Sequence, residues 1–217
     1  MKRTHLLFFA SILAAGLATI ANGADTVTNS SLDQTEANYT KSIEGRTADI
    51  LKILALADTN KAGHVHDAVM AQYRALRAWH DENDAKLKAA KADTNAVAQI
   101  RATLKVIHDA FLAKLAEDLS LAQVEQVKDK MTYGKVQFTF NGYLSAYPGL
   151  AEEHQQKILE ILKQAREEAM DGGSADEKTA IFQKAKGKIN NYLSKQGVQS
   201  EKKKKTSTPT TNAQSPQ

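Results

Sequence analysis

The chain contains no cysteine. That excludes disulfide bridges, thiolate catalysis, cysteine-bound zinc and a lipid anchor on cysteine. Proline is scarce at 3 of 217 residues, and glycine stands at 11. Collagen-like and Pro- or Gly-rich low-complexity architectures are therefore excluded. Aromatic residues make up only 6%, with one tryptophan, Trp79. Serine nucleophile elbows, phosphate-binding glycine loops and dinucleotide fingerprints are all missing. Outside Leu6–Ile20 no stretch approaches the ~20 apolar residues that a membrane span needs.

The domain also lacks a strong charge of one sign. The whole chain carries +4. Lys2 and Arg3 supply +2, and the tail from Val198 supplies +3, which leaves −1 for residues 24–197. The basic character belongs to the two ends. A nucleic-acid partner would need basic residues clustered on a folded face, so none is expected.

What is present begins with a targeting signature. Lys2 and Arg3 precede the apolar stretch Leu6–Ile20, and Ala21-Asn22-Gly23 offers a small-x-small cleavage site before Ala24. This is the layout of a secretory signal peptide over residues 1–23. The expected mature protein is exported, periplasmic or secreted, with no membrane span after cleavage.

Residues 24–30 form a polar leader, and residues 31–197 read as a single all-α domain, a bundle of five to six amphipathic helices. Tyr39, Ile43, Ile50 and Leu54 share one face of a first helix at about 32–57. A second, at about 64–91, carries Val65, Val69, Tyr73, Leu76, His80 and Leu87. The third, at about 94–118, has the most regular stripe: Val97, Ile100, Leu104, Ile107, Phe111 and Leu115. Ser120 and Gln123 form a capping box, with Leu119 placed to staple against Val124. Residues 133–147 are ambiguous: Val136, Phe138 and Phe140 alternate like a strand, while Tyr133, Phe140, Tyr143 and Tyr147 step like a helix. No second strand is available to pair with, so the spacing predicts a helix, broken or bent near Gly134 and stopped by Pro148-Gly149. Further helices are predicted at about 150–170 and 175–195, the latter capped by Ser174 with Glu177 and stopped by Gly197. The Lys-rich tail 198–217 has the composition of a disordered segment.

Two stretches carry a resemblance. Residues 119–147 and 147–197, above all AREEAMDGGS at 165–174 and KGKINNYLSKQG at 186–197, resemble the secreted bacterial family named domain of unknown function 3826, sometimes labelled sugar-binding. The resemblance implies export, a helical domain and a carbohydrate context. A weaker likeness is to periplasmic chaperones of the Spy and CpxP type, which repeat a Leu-Thr-x-x-Gln helix start. Leu119-Ser120-x-x-Gln123 nearly fits. At Leu150, the second copy, Ala151 replaces the hydroxyl and His154 the glutamine.

Few residues invite chemistry. His64-x-His66 lies two apart, so on a helix the imidazoles diverge and cannot share an ion; in a loop they could, but third and fourth ligands are missing and no metal site is expected. Trp79 stands beside His80, Asp81 and Glu82, where an aromatic face suits a sugar ring and carboxylates suit its hydroxyls; the ordinary alternative is a tryptophan packed at the rim of the bundle. Arg166, Glu167, Glu168 and Asp171 crowd one helix end, which suits surface ion pairing better than a glycosidase cleft. Asn190 and Asn191 are poor helix-interior residues, so one of them is expected in a hydrogen bond toward the bundle or a ligand. Phe138 is the aromatic residue that fits no stripe.

The function expected from these features is non-enzymatic binding or an accessory role without a cofactor. The expected partner is a carbohydrate or an envelope protein. Candidate ligand-binding residues are Trp79, Arg166, Asp171, Asn190 and Asn191. The alternative is a periplasmic chaperone, which requires Phe138 and Val136 exposed together.

Overall fold

A computed structural model describes residues 23–200, with side chains from residue 33 onward. The apolar stretch Leu6–Ile20 and the lysines beyond Ser200 lie outside the described residues. Seven α-helices and no strand occur among the described residues: α1 (Gly23–Leu54), α2 (Thr59–Ala89), α3 (Thr94–Ala116), α4 (Leu121–Met131), α5 (Lys135–Ala146), α6 (Glu152–Met170) and α7 (Ala175–Lys195). The all-α bundle is thus present. Two compact units divide the chain, residues 1–41 and residues 42–217.

In the first unit, α1 begins at Gly23 and takes in residues 24–30, the polar leader expected to precede the first helix at about 32. Exposed side-chain bonds at helical spacing support its turns, among them Gln34 to Asn38 and Thr40 to Glu36.

Helix ends follow local chemistry closely. Asp58 caps α2, its carboxylate accepting from the N–H groups of Asn60 and Lys61. The helix therefore starts five residues before the expected position, with Gly63 inside it. Asp93 caps α3 in the same way. Ser120 and Gln123 form the predicted capping box on α4. Ser174 accepts from the Glu177 N–H, while Glu177 reaches back to the N–H of Gly173 rather than to that of the cap itself. Ala151 at the head of α6 gives no side-chain cap, and Glu152 and Glu153 in the first turn face the helix dipole instead.

Of the two expectations near Gly134, a break or a bend, the chain makes the break, and the five to six expected helices become seven among the described residues. Gly134 donates to the Asp129 carbonyl at 2.8 Å and Tyr133 to that of Lys130 at 3.1 Å. This is a Schellman closure, with Tyr133 (φ 59) in the left-handed position usually held by glycine. The left-handed turn carries Tyr133 outward, to 49% exposure, although its spacing had suggested a core residue. An equivalent closure at Val198 and Gly197 (φ 70) ends α7 as expected.

α6 packs against α7, α5 and α4, and α3 packs against α2 and α4. The main core lies between α5, α6 and α7, where Ile158, Leu162, Ile189 and Leu193 are fully buried. A second cluster joins α2 to α3 through Leu76, Trp79 and Leu104. The predicted stripes supply most of this core. On α7, Phe182 and Leu193 are buried, with Ile181 and Tyr192 half-buried beside them.

Candidate functional site

Two places gather polar side chains. The first is an ionic cluster joining α3, α4 and α6. Arg166 is buried, and its guanidinium donates to Asp129 at 2.7 Å, to Glu167 at 3.2 Å and to Glu125. Lys128 bridges Glu125 and Glu167 at 3.3 and 3.0 Å. His108 closes the chain, 3.0 Å from Asp171 and 3.6 Å from Glu167. The hydrogen bond to Asp171, then that to Glu167, lifts the His108 pKa to about 9 against the opposing effect of burial. Burial pushes the Glu167 carboxyl upward, yet His108 and Lys128 hold it down at about 2. Cation and anion alternate along this chain, so each charge is answered within it.

Lys178 sits next to the cluster, 4% exposed on α7. Its ammonium donates to the carbonyls of Ala169 and Met170 at 2.8 and 3.1 Å. These are last-turn carbonyls of α6, which have no partner inside their own helix. Burial lowers the Lys178 pKa to about 8. A cleft of about 620 Å³ opens beside the cluster, lined by Arg101, His108, Glu167, Asp171, Glu177 and Lys184 among others.

The second place is an open groove of about 720 Å³ between α5 and the end of α7. Its wall includes Phe138, Tyr143, Tyr147, Asn141, Lys186 and Asn190. Phe138 is 78% exposed, so the one aromatic residue that fitted no stripe faces solvent here. Tyr143 and Tyr147 stack with ring centroids 6.1 Å apart and planes 21° from parallel. The Tyr143 hydroxyl donates within reach of two acceptors, Asn190 Oδ1 at 2.9 Å and the Lys186 carbonyl at 3.2 Å. Burial, reinforced by Tyr147, pushes this phenol up to about 12, so it stays a neutral donor. Asn190 lines the same groove, and its side-chain oxygen is the atom that the Tyr143 hydroxyl holds. Two further clefts, of about 390 and 400 Å³, share Tyr147 and the segment Gly197–Gln199. Tyr147 therefore stands where all three meet.

The five candidate residues do not converge. Trp79 is 6% exposed, its indole N–H donates to Thr103 Oγ1 at 2.8 Å, and its ring meets His80 edge-on. It packs and offers no face to a sugar. Arg166 is consumed by three carboxylates. Asp171 serves His108 through its carboxylate and His80 through its carbonyl, at 3.0 and 2.7 Å. Asn191 is exposed on α7 outside the groove. Asn190 alone lines it. The residues missed as site members are Phe138, Tyr147 and Lys186. The aromatic density of 133–147 was the available signal, and Phe138's misfit to the helical stripe was its most specific part.

His64 and His66 lie on α2, not in a loop. Each takes its own carboxylate, Asp118 at 3.1 Å for His64 and Glu44 at 3.0 Å for His66. Among the described residues no group of three or more metal donors gathers, and no helix is long and apolar enough to cross a membrane.

The family model described as "Protein of unknown function (DUF3826)" matches residues 40–212. No curated protein matches the chain.

Proposed function

The chain belongs to the DUF3826 family, and we propose that the groove beside Tyr147 gives this member an exported, non-enzymatic carbohydrate-binding role. The observation that carries the proposal is the combination in one open groove of exposed Phe138, the Tyr143–Tyr147 stack and the Asn190 amide. Sugar rings present C–H faces that lie on aromatic rings, and hydroxyls that need fixed polar partners. A site with apolar walls and a few oriented polar groups meets both needs. The adjoining clefts across Tyr147 suit a saccharide chain better than a single ring.

The export part of the proposal rests on the arrangement of Lys2, Arg3, Leu6–Ile20 and the small-x-small site. The chaperone alternative asks for Phe138 and Val136 exposed side by side. Val136 is 6% exposed and lies in the core with Phe140, which favours the groove over a client-binding surface.

The test is a thermal-shift screen of the protein against mono- and oligosaccharides. A ligand at about 100 times its dissociation constant adds about 2.7 kcal/mol, or several degrees. A shift for one glycan class that Tyr147→Ala abolishes supports the proposal. No shift with any saccharide overturns it.

A further inference from the structure

We infer that Gly142 is the floor of the Tyr147 groove and that the groove takes a flat, extended pyranose chain: a β-1,4-linked oligosaccharide whose ring substituents are equatorial. This rests on the carbohydrate proposal, and it names the ligand class and a residue that selects it.

Gly142 lies inside α5, one turn after Phe138 and one turn before Ala146. At about 100° per residue, Asn141 and Tyr143 stand to either side of it, and Phe138, Thr139, Ser145 and Ala146 fall between them. All of these residues line the groove, so Gly142 is at the centre of the lining face. A Cβ there would meet nothing within 4 Å. Packing within the chain therefore gives no reason for the missing side chain, although glycine weakens a helix interior. Gly45, Gly63 and Gly187 are equally open, and none of them lines this groove. What sets Gly142 apart is its place. It bares the helix backbone at the floor of a concave surface, with an aromatic ring at each end, and bare backbone lets a ligand approach closely.

Those two rings set a length. Phe138 is 78% exposed, and half-buried Tyr147 closes the other end against Tyr143. Nine residues at 1.5 Å each place them about 13 Å apart along the helix axis, longer than one sugar ring.

The polar groups stand at the margins. On one, Asn141 accepts from Gln137 at 2.7 Å and the Ser145 hydroxyl donates to the Asn141 carbonyl at 3.0 Å. On the other, where α7 approaches, are Asn190 and Lys186, both tied to the Tyr143 hydroxyl. A pyranose with equatorial substituents has the matching layout. Its faces are C–H, and its hydroxyls radiate in the ring plane toward the margins. An axial hydroxyl on the buried face would meet a floor with no side-chain partner. The equatorial β-1,4 linkage also keeps successive rings in one extended ribbon, which follows a straight helix. An α-1,4 linkage curls the chain away from it.

Isothermal titration of the full chain with cellohexaose and maltohexaose tests this. Cellohexaose is expected to bind at least about tenfold more tightly than maltohexaose. Gly142→Ala should raise the melting temperature by about 1–4 °C through helix propensity, yet weaken cellohexaose about threefold or more. Gly142→Leu, with another good helix former, should melt no lower than wild type and lose at least about tenfold in affinity. Gly63→Ala, remote from the groove, should melt higher with affinity unchanged. Equal binding of the two hexamers overturns the ribbon assignment and leaves the carbohydrate proposal standing. Cellohexaose binding indifferent to Gly142→Leu overturns Gly142 as the floor. Absence of cellohexaose binding overturns the ligand class. The saccharide thermal-shift screen then tells the two failures apart: a Tyr147-dependent shift with another glycan keeps the carbohydrate proposal, and no shift at all removes both.

Discussion

His80 lies directly against Gly173. A Cβ at Gly173 would stand 2.7 Å from Cγ of the imidazole and 2.9 Å from Cδ2. The missing side chain lets the α6–α7 turn close over α2, so that His80 Nε2 donates to the Asp171 carbonyl at 2.7 Å. Nδ1 faces Asp84 at 2.9 Å. Burial works against a charge on His80, but these two contacts raise its pKa above the ordinary value.

This contact makes glycine substitutions diverge in sign. Gly173→Ala forces the ring away from a tightly packed position and should destabilise the protein by about 1–3 kcal/mol. Gly187→Ala, inside α7 with nothing within 4 Å of its Cβ position, should stabilise it by about 0.5–1 kcal/mol through helix propensity. Urea midpoints of the two variants check this. Equal midpoints would show that His80 moves aside freely.

Tyr133 holds a strained position for a residue with a side chain. In the left-handed region at φ 59, a Cβ crowds the following carbonyl and costs about 1 kcal/mol. Tyr133→Gly should recover roughly that amount, since Tyr133 is not in the core. A chemical-denaturation series settles the sign. A loss of stability would mean that the half-exposed ring packs more favourably than its backbone is strained.

Much of the fold was legible because helix patterning and capping are local. The stripe of α3, the Ser120–Gln123 box and the Gly197 stop all appear as expected. The missed features need either a second meaning for a residue or a partner far along the chain. Asp58-Thr59-Asn60 reads in sequence as a breaker after the first helix, yet a breaker with a side-chain acceptor is also a cap. Arg166 finds Glu125 and Asp129 on α4, about ten helical turns earlier in sequence, and no spacing within α6 announces that. The site was legible only in outline. Trp79 drew attention as the single tryptophan, but rarity does not say which way a side chain faces. Phe138 carried the better signal because it disagreed with its own helix.

Stability should vary with pH in two opposed steps. The folded His108 pKa of about 9 exceeds its ordinary value of 6.5. The folded state then binds this proton more tightly, so the contribution is full below about pH 6.5 and is lost as pH rises toward 9. With Asp171 and Glu167 facing the ring, the step should be on the order of 2 kcal/mol. Lys178 runs the other way. Its folded value of about 8 lies below the ordinary 10.5, so the unfolded state binds that proton more tightly and stability recovers between about pH 8 and 10.5. Urea unfolding across this range should show a shallow minimum near pH 8–9. His108→Gln should flatten the descending limb and Lys178→Met the ascending one. Identical profiles in wild type and His108→Gln would remove the imidazolium from the account.

Trp79 and Tyr147 should separate stability from binding. Trp79 sits in the Leu76–Leu104 cluster and holds Thr103 across α2 and α3. Trp79→Ala removes a large buried ring and should cost about 3–5 kcal/mol, while saccharide affinity of the remaining folded protein is unchanged. Tyr147 is half-buried at the junction of three clefts. Tyr147→Ala should cost about 1 kcal/mol of stability or less, since a partly exposed ring loses less on truncation than a core ring. It should cost at least about tenfold in affinity, the range of a stacked aromatic contact. Because Trp79 is the only tryptophan, its emission reports the α2–α3 cluster alone. Saccharide titration should therefore raise the melting temperature without altering tryptophan fluorescence. Quenching of that emission on binding, together with wild-type affinity in Tyr147→Ala, would move the site away from the α5–α7 groove and toward α2.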